Sequence, residues 1–232
     1  MNDIFTQERL RIQELSACGT ATRVPICMCV DASFSMVGPR IEAVLSGIRA
    51  FIRDGRADPY ACDSIDLCLI SFGGSEAKLL QPFAPISLVD CPQIEPGGGT
   101  PLGMAIGFAL DQIAERMTDY ESMGMQTHSP HLIIISDGAA TDGTDDAESR
   151  LRRAERDMRV RVQCVRIGDD ASGDALLRRL DSRGRVMACD AMSISAFFGW
   201  VSQSAAELST ESPTDADALE AIYRRVEHGG AI

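Results

Sequence analysis

The sequence is poor in basic side chains, and lysine is almost absent. Lys78 is the only lysine among 22 lysine and arginine residues, and there are three histidines. Against these stand 34 aspartate and glutamate residues, which leaves a formal net charge of −12 at pH 7. This balance disfavours a nucleic-acid backbone as the partner and favours metal cations or basic protein surfaces. The simpler alternative is that the acidic surplus only keeps the protein soluble.

Targeting and membrane-spanning segments are also missing from the sequence. Residues 1–8 contain neither a basic region nor a continuous apolar stretch, and no part of the chain approaches the length of a membrane span. We therefore expect a cytoplasmic protein without a membrane span. Hydrophobic residues make up 45% of the 232 residues, which is enough for one substantial core.

The eight cysteines lack the spacing of a disulfide framework or a zinc site. They are dispersed, and Cys27, Cys29, Cys68 and Cys164 fall within predicted strands, where thiols pack as small apolar groups. A zinc site would need a second closely spaced Cys or His pair near Cys27 and Cys29, and the sequence contains none. We predict reduced thiols, together with surface or boundary positions for the three histidines, which are His128, His131 and His228.

What the sequence does contain is two apolar runs that each end in an aspartate. Residues 24–30 are apolar without a helical period, which predicts a buried strand, and Asp31 follows at once. Residues 131–136 form a second such strand, followed by Asp137. Between them, three glycines at 97–99 predict a flexible loop that presents the Thr100 hydroxyl before a helix. Because ligands bind at the carboxyl ends of strands in open α/β sheets, we expect these three loops to meet.

The loop after the first strand offers three oxygen ligands. Asp31, Ser33 and Ser35 alternate along the chain, and hard divalent cations prefer such carboxylate and hydroxyl oxygens. The alternative is that Ser33, Ser35 and Asp137 only cap strand-to-helix turns and no metal binds. Capping explains each loop by itself, but it does not explain the order in which the three loops occur.

Together, the three motifs resemble the metal-ion-dependent adhesion site of von Willebrand factor A (VWA) domains. The pattern is Asp-x-Ser-x-Ser, then a distant threonine after glycines, then Asp-Gly after an apolar strand. The resemblance covers roughly residues 23–205. Within the family, residues 97–105 and 136–142 look most like the bacterial tellurium-resistance proteins of the TerY type. That likeness implies a cytoplasmic complex in tellurite, stress or defence signalling, often together with a kinase or phosphatase.

The resemblance also implies a role for each residue at the site. Asp31 would reach the ion directly or through a water, and Ser33 and Ser35 would ligate it. Thr100 would become a ligand in the partner-bound state, and Asp137 would contact the groups that surround the ion rather than the ion itself. Mg²⁺ is favoured, with Mn²⁺ and Ca²⁺ as alternatives. Because few carboxylates touch such an ion, its open position favours an Asp or Glu supplied by a partner protein.

We expect the partner to contact a rim around this site that contains Phe34, Pro101, Gly138 and Asp142. Phe34 departs from the family pattern, which usually has a small residue between the two serines. Three alternatives follow for Phe34: it shifts the loop, it contacts the partner at the rim, or it packs in the interior.

A phosphatase of the haloacid-dehalogenase class is the alternative from another functional class. Such enzymes also begin with a strand-end aspartate, and residues 168–170 resemble their metal-binding loop. Their general-acid aspartate, however, stands two residues after the first one, where this chain has Ser33, and no lysine follows in a suitable place. We therefore predict a protein without catalytic residues that is not an enzyme. A scaffold that works without metal is the third alternative.

Strands and helices alternate along the chain, which predicts a doubly wound α/β fold with helices on both faces of a mostly parallel sheet. Residues 64–72 and 76–83 predict a hairpin that adds one antiparallel edge strand. Thr100 is expected to cap the helix that begins at Leu102. The polar residues of the strand 160–167 predict that one of its faces is less buried.

We divide the chain into three parts. Residues 1–22 are an N-terminal extension with a short predicted helix, residues 23–208 are the VWA domain, and residues 209–232 are an acidic linker with a short tail helix. The predicted domain ends with a helix over 193–208.

Overall fold

The structure, a computed structural model, describes residues 21–168 and 173–189. The strands are β1 (Val24–Asp31), β2 (Ile65–Gly73), β3 (Glu76–Pro85), β4 (His131–Ser136), β5 (Arg161–Ile167) and β6 (Met187–Cys189). The α-helices are α1 (Pro39–Ala57), α2 (Pro59–Ser64), α3 (Leu102–Ser122), α4 (Asp145–Asp157) and α5 (Asp174–Leu180), and two short 3₁₀ helices cover Phe34–Met36 and Ile86–Leu88. The predicted helices at 2–18 and 193–208 and the tail helix lie outside the described residues.

The six strands form one sheet in the order β3-β2-β1-β4-β5-β6. All neighbouring pairs are parallel except β2 and β3, which form the antiparallel hairpin at one edge. The predicted mostly parallel sheet with one antiparallel edge strand is therefore confirmed. The chain passes from β1 to β2 on one side and returns from β3 to β4 on the other side of β1, so β1 and β4 are the strands at which the winding reverses.

Helices cover both faces of this sheet because their apolar residues recur with helical spacing. One face packs against α1, whose buried side chains include Ile41, Val44, Ile48 and Phe51. The other face packs against α3 and α4. The central strands are buried on both sides, which is why they appear in the sequence as continuous apolar runs.

The face toward α3 carries the thiols of Cys27, Cys29, Cys68 and Cys164, which are fully buried and free. Their predicted packing as small apolar groups in the strands is confirmed. Contacts of the Cys27 thiol with Cys29 and Cys68, together with burial, raise the pKa of Cys27 well above its usual value. The thiol therefore stays protonated and inert at neutral pH.

Helix α2 was not predicted, although its start signals are present in the sequence. The Asp58 carboxylate accepts a hydrogen bond from the backbone N–H of Ala61 at 2.9 Å, and Pro59 occupies the first helical position. The helix escapes detection because six residues are too few to display an apolar period.

The prediction of a less buried face on β5 is wrong. Gln163 is 5% exposed and Arg166 is 8% exposed. Both polar side chains are buried together with partners: Gln163 hydrogen-bonds the His131 ring at 3.2 Å, and Arg166 pairs with Asp174 at 2.6 Å. Pairing of this kind lowers the cost of burying polar groups, so a polar residue in a strand does not imply an exposed face.

The predicted surface or boundary positions of the histidines are wrong for two of them. His128 and His131 are 6% and 4% exposed. The segment before β4 lies beside Arg23, where His128 donates its backbone N–H to the Arg23 carbonyl at 2.8 Å, whereas the His131 ring contacts Gln163 of β5. His228 lies outside the described residues.

A buried charge network closes the amino-terminal end of the sheet. The Asp66 carboxylate accepts hydrogen bonds from Arg23, from Tyr120 and, at 2.6 Å, from Arg116. All four side chains are at most 2% exposed, and the Arg116 guanidinium lies 4.9 Å from the centre of the Tyr120 ring. The network joins the start of β1, β2 and the last turns of α3.

No helix within residues 21–168 and 173–189 combines the length and the hydropathy that crossing a membrane requires.

Candidate metal and partner site

The candidate site lies at the carboxyl ends of β1 and β4, where the winding of the sheet reverses. In the register of these parallel strands Val30 is opposite Ile135, so Asp31 and Ser136 lie side by side at the same edge. Helices that follow the two strands pack on opposite faces of the sheet, so the loops that lead into them diverge from this edge. In open α/β sheets, ligands bind where the winding reverses in this way.

Asp31 is the most deeply buried charged group at this edge, with no exposed surface. One carboxylate oxygen accepts the backbone N–H of Ser33 at 2.8 Å, and the other accepts the Ser136 hydroxyl at 2.5 Å. Burial raises the pKa of Asp31, although the hydrogen bonds from Ser136 and Ser33 oppose this rise. No arginine, lysine or histidine in the described part of the chain pairs with this carboxylate.

The two serines of the motif face each other beside Asp31. Their hydroxyl oxygens are 3.0 Å apart; Ser33 is buried and Ser35 is exposed. Phe34 between them begins the 3₁₀ helix Phe34–Met36, and its side chain is 74% exposed. Because Phe34 does not adopt a positive φ, the loop needs no glycine at this position, and the departure from the family pattern carries no backbone strain.

Backbone hydrogen bonds hold the glycine loop against the β1 loop. Gly97 donates its N–H to the Ala32 carbonyl at 2.8 Å, and Phe34 donates its N–H to the Gly98 carbonyl at 3.0 Å. At Gly98 the φ angle is +71°, and a Cβ atom there would lie 2.6 Å from the Cα of Gly74 in the β2–β3 turn. Only glycine fits this position, which explains part of the glycine run.

Thr100 is fixed by the loop after β4. The Thr100 N–H donates to the Thr141 hydroxyl at 2.8 Å, and the Thr141 N–H donates to the Thr100 carbonyl at 2.9 Å. The hydroxyl of Thr100 is left for another partner, in a residue that is 4% exposed. The three loops expected to meet are thus joined by hydrogen bonds on both sides of the glycine run.

The expectation that Thr100 caps α3 is wrong. The helix begins after Pro101 without a side-chain cap from its own segment. Instead, the Asp142 carboxylate accepts the N–H groups of Gly103 at 3.0 Å and Met104 at 2.9 Å. A carboxylate from a distant loop replaces the local cap, because the loop after β4 passes over the amino-terminal end of α3.

Asp137 lies at the same edge, half-buried. One of its oxygens accepts the backbone N–H of Ala139 at 3.3 Å, and the other lies 3.9 Å from the Arg40 guanidinium. The negative charge of Asp137 makes a small addition to the rise of the Asp31 pKa.

These residues fit a hard divalent cation. A buried carboxylate with a raised pKa, and with no cationic side chain beside it in the described ranges, favours an external cation, and the adjacent ligand atoms are hydroxyl oxygens. The described residues contain no cluster of three or more His, Cys, Asp or Glu arranged to hold a metal. The ligands of an ion here would therefore be Asp31, Ser33, Ser35 and Thr100, and Asp137 would contact the groups around the ion. Such an ion would keep part of its water shell.

The residues expected to form the rim differ in exposure. Phe34 is the outermost, whereas Pro101 and Gly138 are buried and Asp142 is half-buried against α3. Met104 is 51% exposed in the first turn of α3, next to the backbone that Asp142 holds. The exposed apolar part of the rim therefore comes from Phe34 and Met104.

Three residues near the site were given no role from the sequence: Ser136, Thr141 and Arg40. Ser136 orients Asp31, Thr141 orients Thr100, and Arg40 lies beside Asp137. Ser136 and Thr141 belong to the segment 136–142 that resembles the family, and Ser136 is a polar residue at the very end of a buried strand, which was an available signal. No sequence signal pointed to Arg40, because it lies in the first turn of a helix.

No protein-family model and no curated protein matches this chain. Solved structures do match its fold. The von Willebrand factor domain of the type V pili tip protein Mfa5 from Porphyromonas gingivalis has a TM-score of 0.63 at 12% identity, over 83% of this chain and 98% of that one. The SpRpn10 VWA domain has a TM-score of 0.57 at 12% identity, over 78% of this chain and 95% of that one.

A third structure, the von Willebrand factor type A protein from Catenulispora acidiphila, has a TM-score of 0.60 at 15% identity. The match covers 80% of this chain and 43% of that one, so this chain spans less than half of that protein. At these identities the likeness concerns the fold alone. The chain has the fold of a von Willebrand factor A domain.

Proposed function

We propose that this protein is a metal-dependent protein-interaction module, in which one divalent cation at Asp31 is completed by an Asp or Glu of a partner protein. The observation that carries the proposal is the buried Asp31 carboxylate, which has no cationic partner among the described residues and lies beside the hydroxyls of Ser33 and Ser35. Mg²⁺ is the proposed ion inside a cell, because it tolerates few carboxylates and retains waters.

The ligand set supports a partner carboxylate as the last ligand. With mostly hydroxyl ligands, a divalent ion keeps positive charge that a carboxylate can neutralise where water is excluded. Phe34 and Met104 supply exposed apolar surface near the site that can exclude water when a partner binds. Solved structures of the same fold include a pili tip protein, which is in keeping with an interaction role.

The proposal extends to the biological setting. The likeness of residues 97–105 and 136–142 to TerY-type tellurium-resistance proteins supports a cytoplasmic stress-response or defence complex, with a kinase or phosphatase as a partner. Ser33, where a phosphatase would need its general acid, supports a binding role over catalysis by this chain itself.

Calorimetry and thermal unfolding with Mg²⁺ test the ion. Wild type should bind one Mg²⁺ and gain unfolding temperature as Mg²⁺ is added. Asp31→Asn should lose both effects, because the amide removes the negative charge that would hold the ion. The matched control is Asp145→Asn, which alters an exposed acid in the first turn of α4. Equal Mg²⁺ affinity in wild type and Asp31→Asn would contradict the proposal.

The partner contact is tested separately. A partner captured from lysate with Mg²⁺ should dissociate faster from Thr100→Ala than from wild type, and faster still after chelation, whereas the variant on its own should keep its ion. This follows if Thr100 ligates mainly in the partner-bound state. The same dissociation rate in all three conditions would leave a scaffold that recognises partners through another surface.

A further inference from the structure

Arg40 holds a fixed place between the loops of the candidate site. It belongs to the first turn of α1, and its Nη1 donates to the Ser35 carbonyl at 3.1 Å. The same nitrogen lies 3.9 Å from an Asp137 carboxylate oxygen. The guanidinium thus touches a loop that bears one proposed ligand and approaches the carboxylate of another, while 39% of the side chain remains exposed.

The loop after β5 makes room for this guanidinium. A Cβ atom at Gly168 would lie 2.9 Å from Nη2 of Arg40 and 3.0 Å from its Cζ, so any other residue would push the side chain away. The φ angle of Gly168, +96°, also requires glycine. Arg53 on the same helix differs: its side chain is 73% exposed and pairs with its neighbour Asp54. Arg40 is therefore positioned by three loops, and Arg53 is an ordinary surface arginine.

We infer that Arg40 lowers the affinity of the site for its cation and provides a second contact for the carboxylate that completes the ion. The inference rests on the proposed function, because it assigns a role at that same site. The guanidinium would compete with the cation for Asp137, and it lies against the loop that carries Ser35.

The two effects have opposite signs for one physical reason. A positive group near a divalent ion repels the ion, so the site binds the cation more weakly than its oxygen ligands alone would. The same positive group attracts an incoming carboxylate, and a guanidinium can add a directed hydrogen bond. The carboxylate also offsets the repulsion between Arg40 and the ion, so each ligand strengthens the binding of the other.

A consequence concerns the state without ion or partner. Arg40 then partly compensates the Asp137 carboxylate, so the empty site is not left with two unopposed acids. The site would therefore bind the ion weakly by itself and more tightly when the carboxylate of the partner binds with it.

The test uses Mn²⁺ and acetate as probes, because the partner is not identified. Mn²⁺ binding is measured by electron paramagnetic resonance. Acetate binding to the Mn²⁺-loaded protein is measured as a decrease in the water proton relaxation rate, because acetate replaces water on the ion. Arg40→Gln should bind Mn²⁺ about tenfold more tightly, which corresponds to ~1.4 kcal/mol. The same variant should bind acetate at least about threefold more weakly. A general loss of structure cannot raise the affinity for Mn²⁺ while it lowers the affinity for acetate.

Two further variants serve as controls. Arg53→Gln removes the same charge from the same helix at an exposed position and should leave both affinities within about twofold of wild type. Arg40→Lys keeps the charge without the planar fork, so its Mn²⁺ affinity should stay near that of wild type while acetate binding falls. Circular dichroism verifies that each variant is folded.

The outcomes separate this inference from the proposed function. If wild type binds Mn²⁺ but Arg40→Gln has the same or a lower affinity, or the same acetate affinity, the role of Arg40 is overturned and the ion site stands. If neither wild type nor any variant binds Mn²⁺, the ion site itself fails and the inference fails with it.

Discussion

At the scale of single residues, Asp31 and His131 are two buried ionisable groups with different consequences. Asp31 stands at the carboxyl edge of the sheet, where burial raises its pKa and a cation can compensate its charge. His131 is the first residue of β4, at the opposite edge of the sheet from Asp31, and its ring contacts Gln163. Burial, assisted by the charges of Arg161 and His128, lowers the pKa of His131 to about 3.

The lowered pKa of His131 predicts acid sensitivity. A histidine in the unfolded chain is protonated near pH 6.5, whereas the His131 ring in the folded protein is protonated only near its lowered pKa of about 3. Its contribution to stability is therefore complete above pH 6.5 and is lost as the pH falls from 6.5 toward 3, by at most about 1.4 kcal/mol per pH unit. Urea unfolding at pH 7, 6 and 5 should show a steeper loss for wild type than for His131→Asn.

The comparison does not go below pH 5, because carboxylates dominate the titration there. Asparagine retains a polar group next to Gln163, so the variant tests the titration more than the packing. The same dependence on pH in both proteins would show that another group causes the sensitivity.

At the scale of elements, α3 depends on a loop that is distant in sequence. Its first turn has no side-chain cap of its own, and the Asp142 carboxylate accepts two of its free N–H groups. The same loop holds Thr100 through Thr141. The start of α3 and the threonine of the candidate site are therefore ordered by one segment.

Asp142→Ala should destabilise the protein by ~1 kcal/mol, a typical cost for the loss of a helix cap. Thermal unfolding should show a decrease of roughly 2–4 °C. The matched control is Asp146→Ala, an exposed acid in the first turn of α4 for which only the interaction with the helix dipole is lost. If both variants shift the unfolding temperature equally, the cap contributes no more than a surface charge does.

At the scale of the whole molecule, the two ends of the sheet differ: one carries the candidate binding site, and the other is held by a buried charge network. The carboxyl edge carries loops, hydroxyls and the candidate ion site. The amino-terminal end is closed by Asp66, which gathers Arg23, Arg116 and Tyr120 and so links β1, β2 and α3. A buried carboxylate between two arginines is costly to disrupt, since its removal leaves buried positive charge without an anion.

Asp66→Asn should therefore destabilise the protein by ~3–5 kcal/mol in urea unfolding. The matched control is Asp63→Asn, an exposed neighbour whose backbone carbonyl accepts a hydrogen bond from Arg23, and it should change stability by less than about 0.5 kcal/mol. Mg²⁺ affinity of folded Asp66→Asn should match that of wild type, because the network lies at the opposite end of the strands. A small loss of stability would mean that the arginines find other anions.

The sequence by itself determined the strands, the main helices and the edge at which the candidate site lies. These follow from local patterns, since a buried strand needs a continuous apolar run and its end is visible where Asp31 or Asp137 begins the polar loop. The doubly wound architecture follows from the alternation of such runs with amphipathic helices.

Only the tertiary structure decided which side chains meet. Ser136 donates to Asp31 across 105 residues, Asp142 reaches α3 across 39, and Arg40 approaches Asp137 from a different helix. These pairings depend on strand order and register, which no local pattern encodes. The burial of His131 and Gln163 has the same origin: each is polar in sequence, and only its position beside the other in neighbouring strands allows both to be interior.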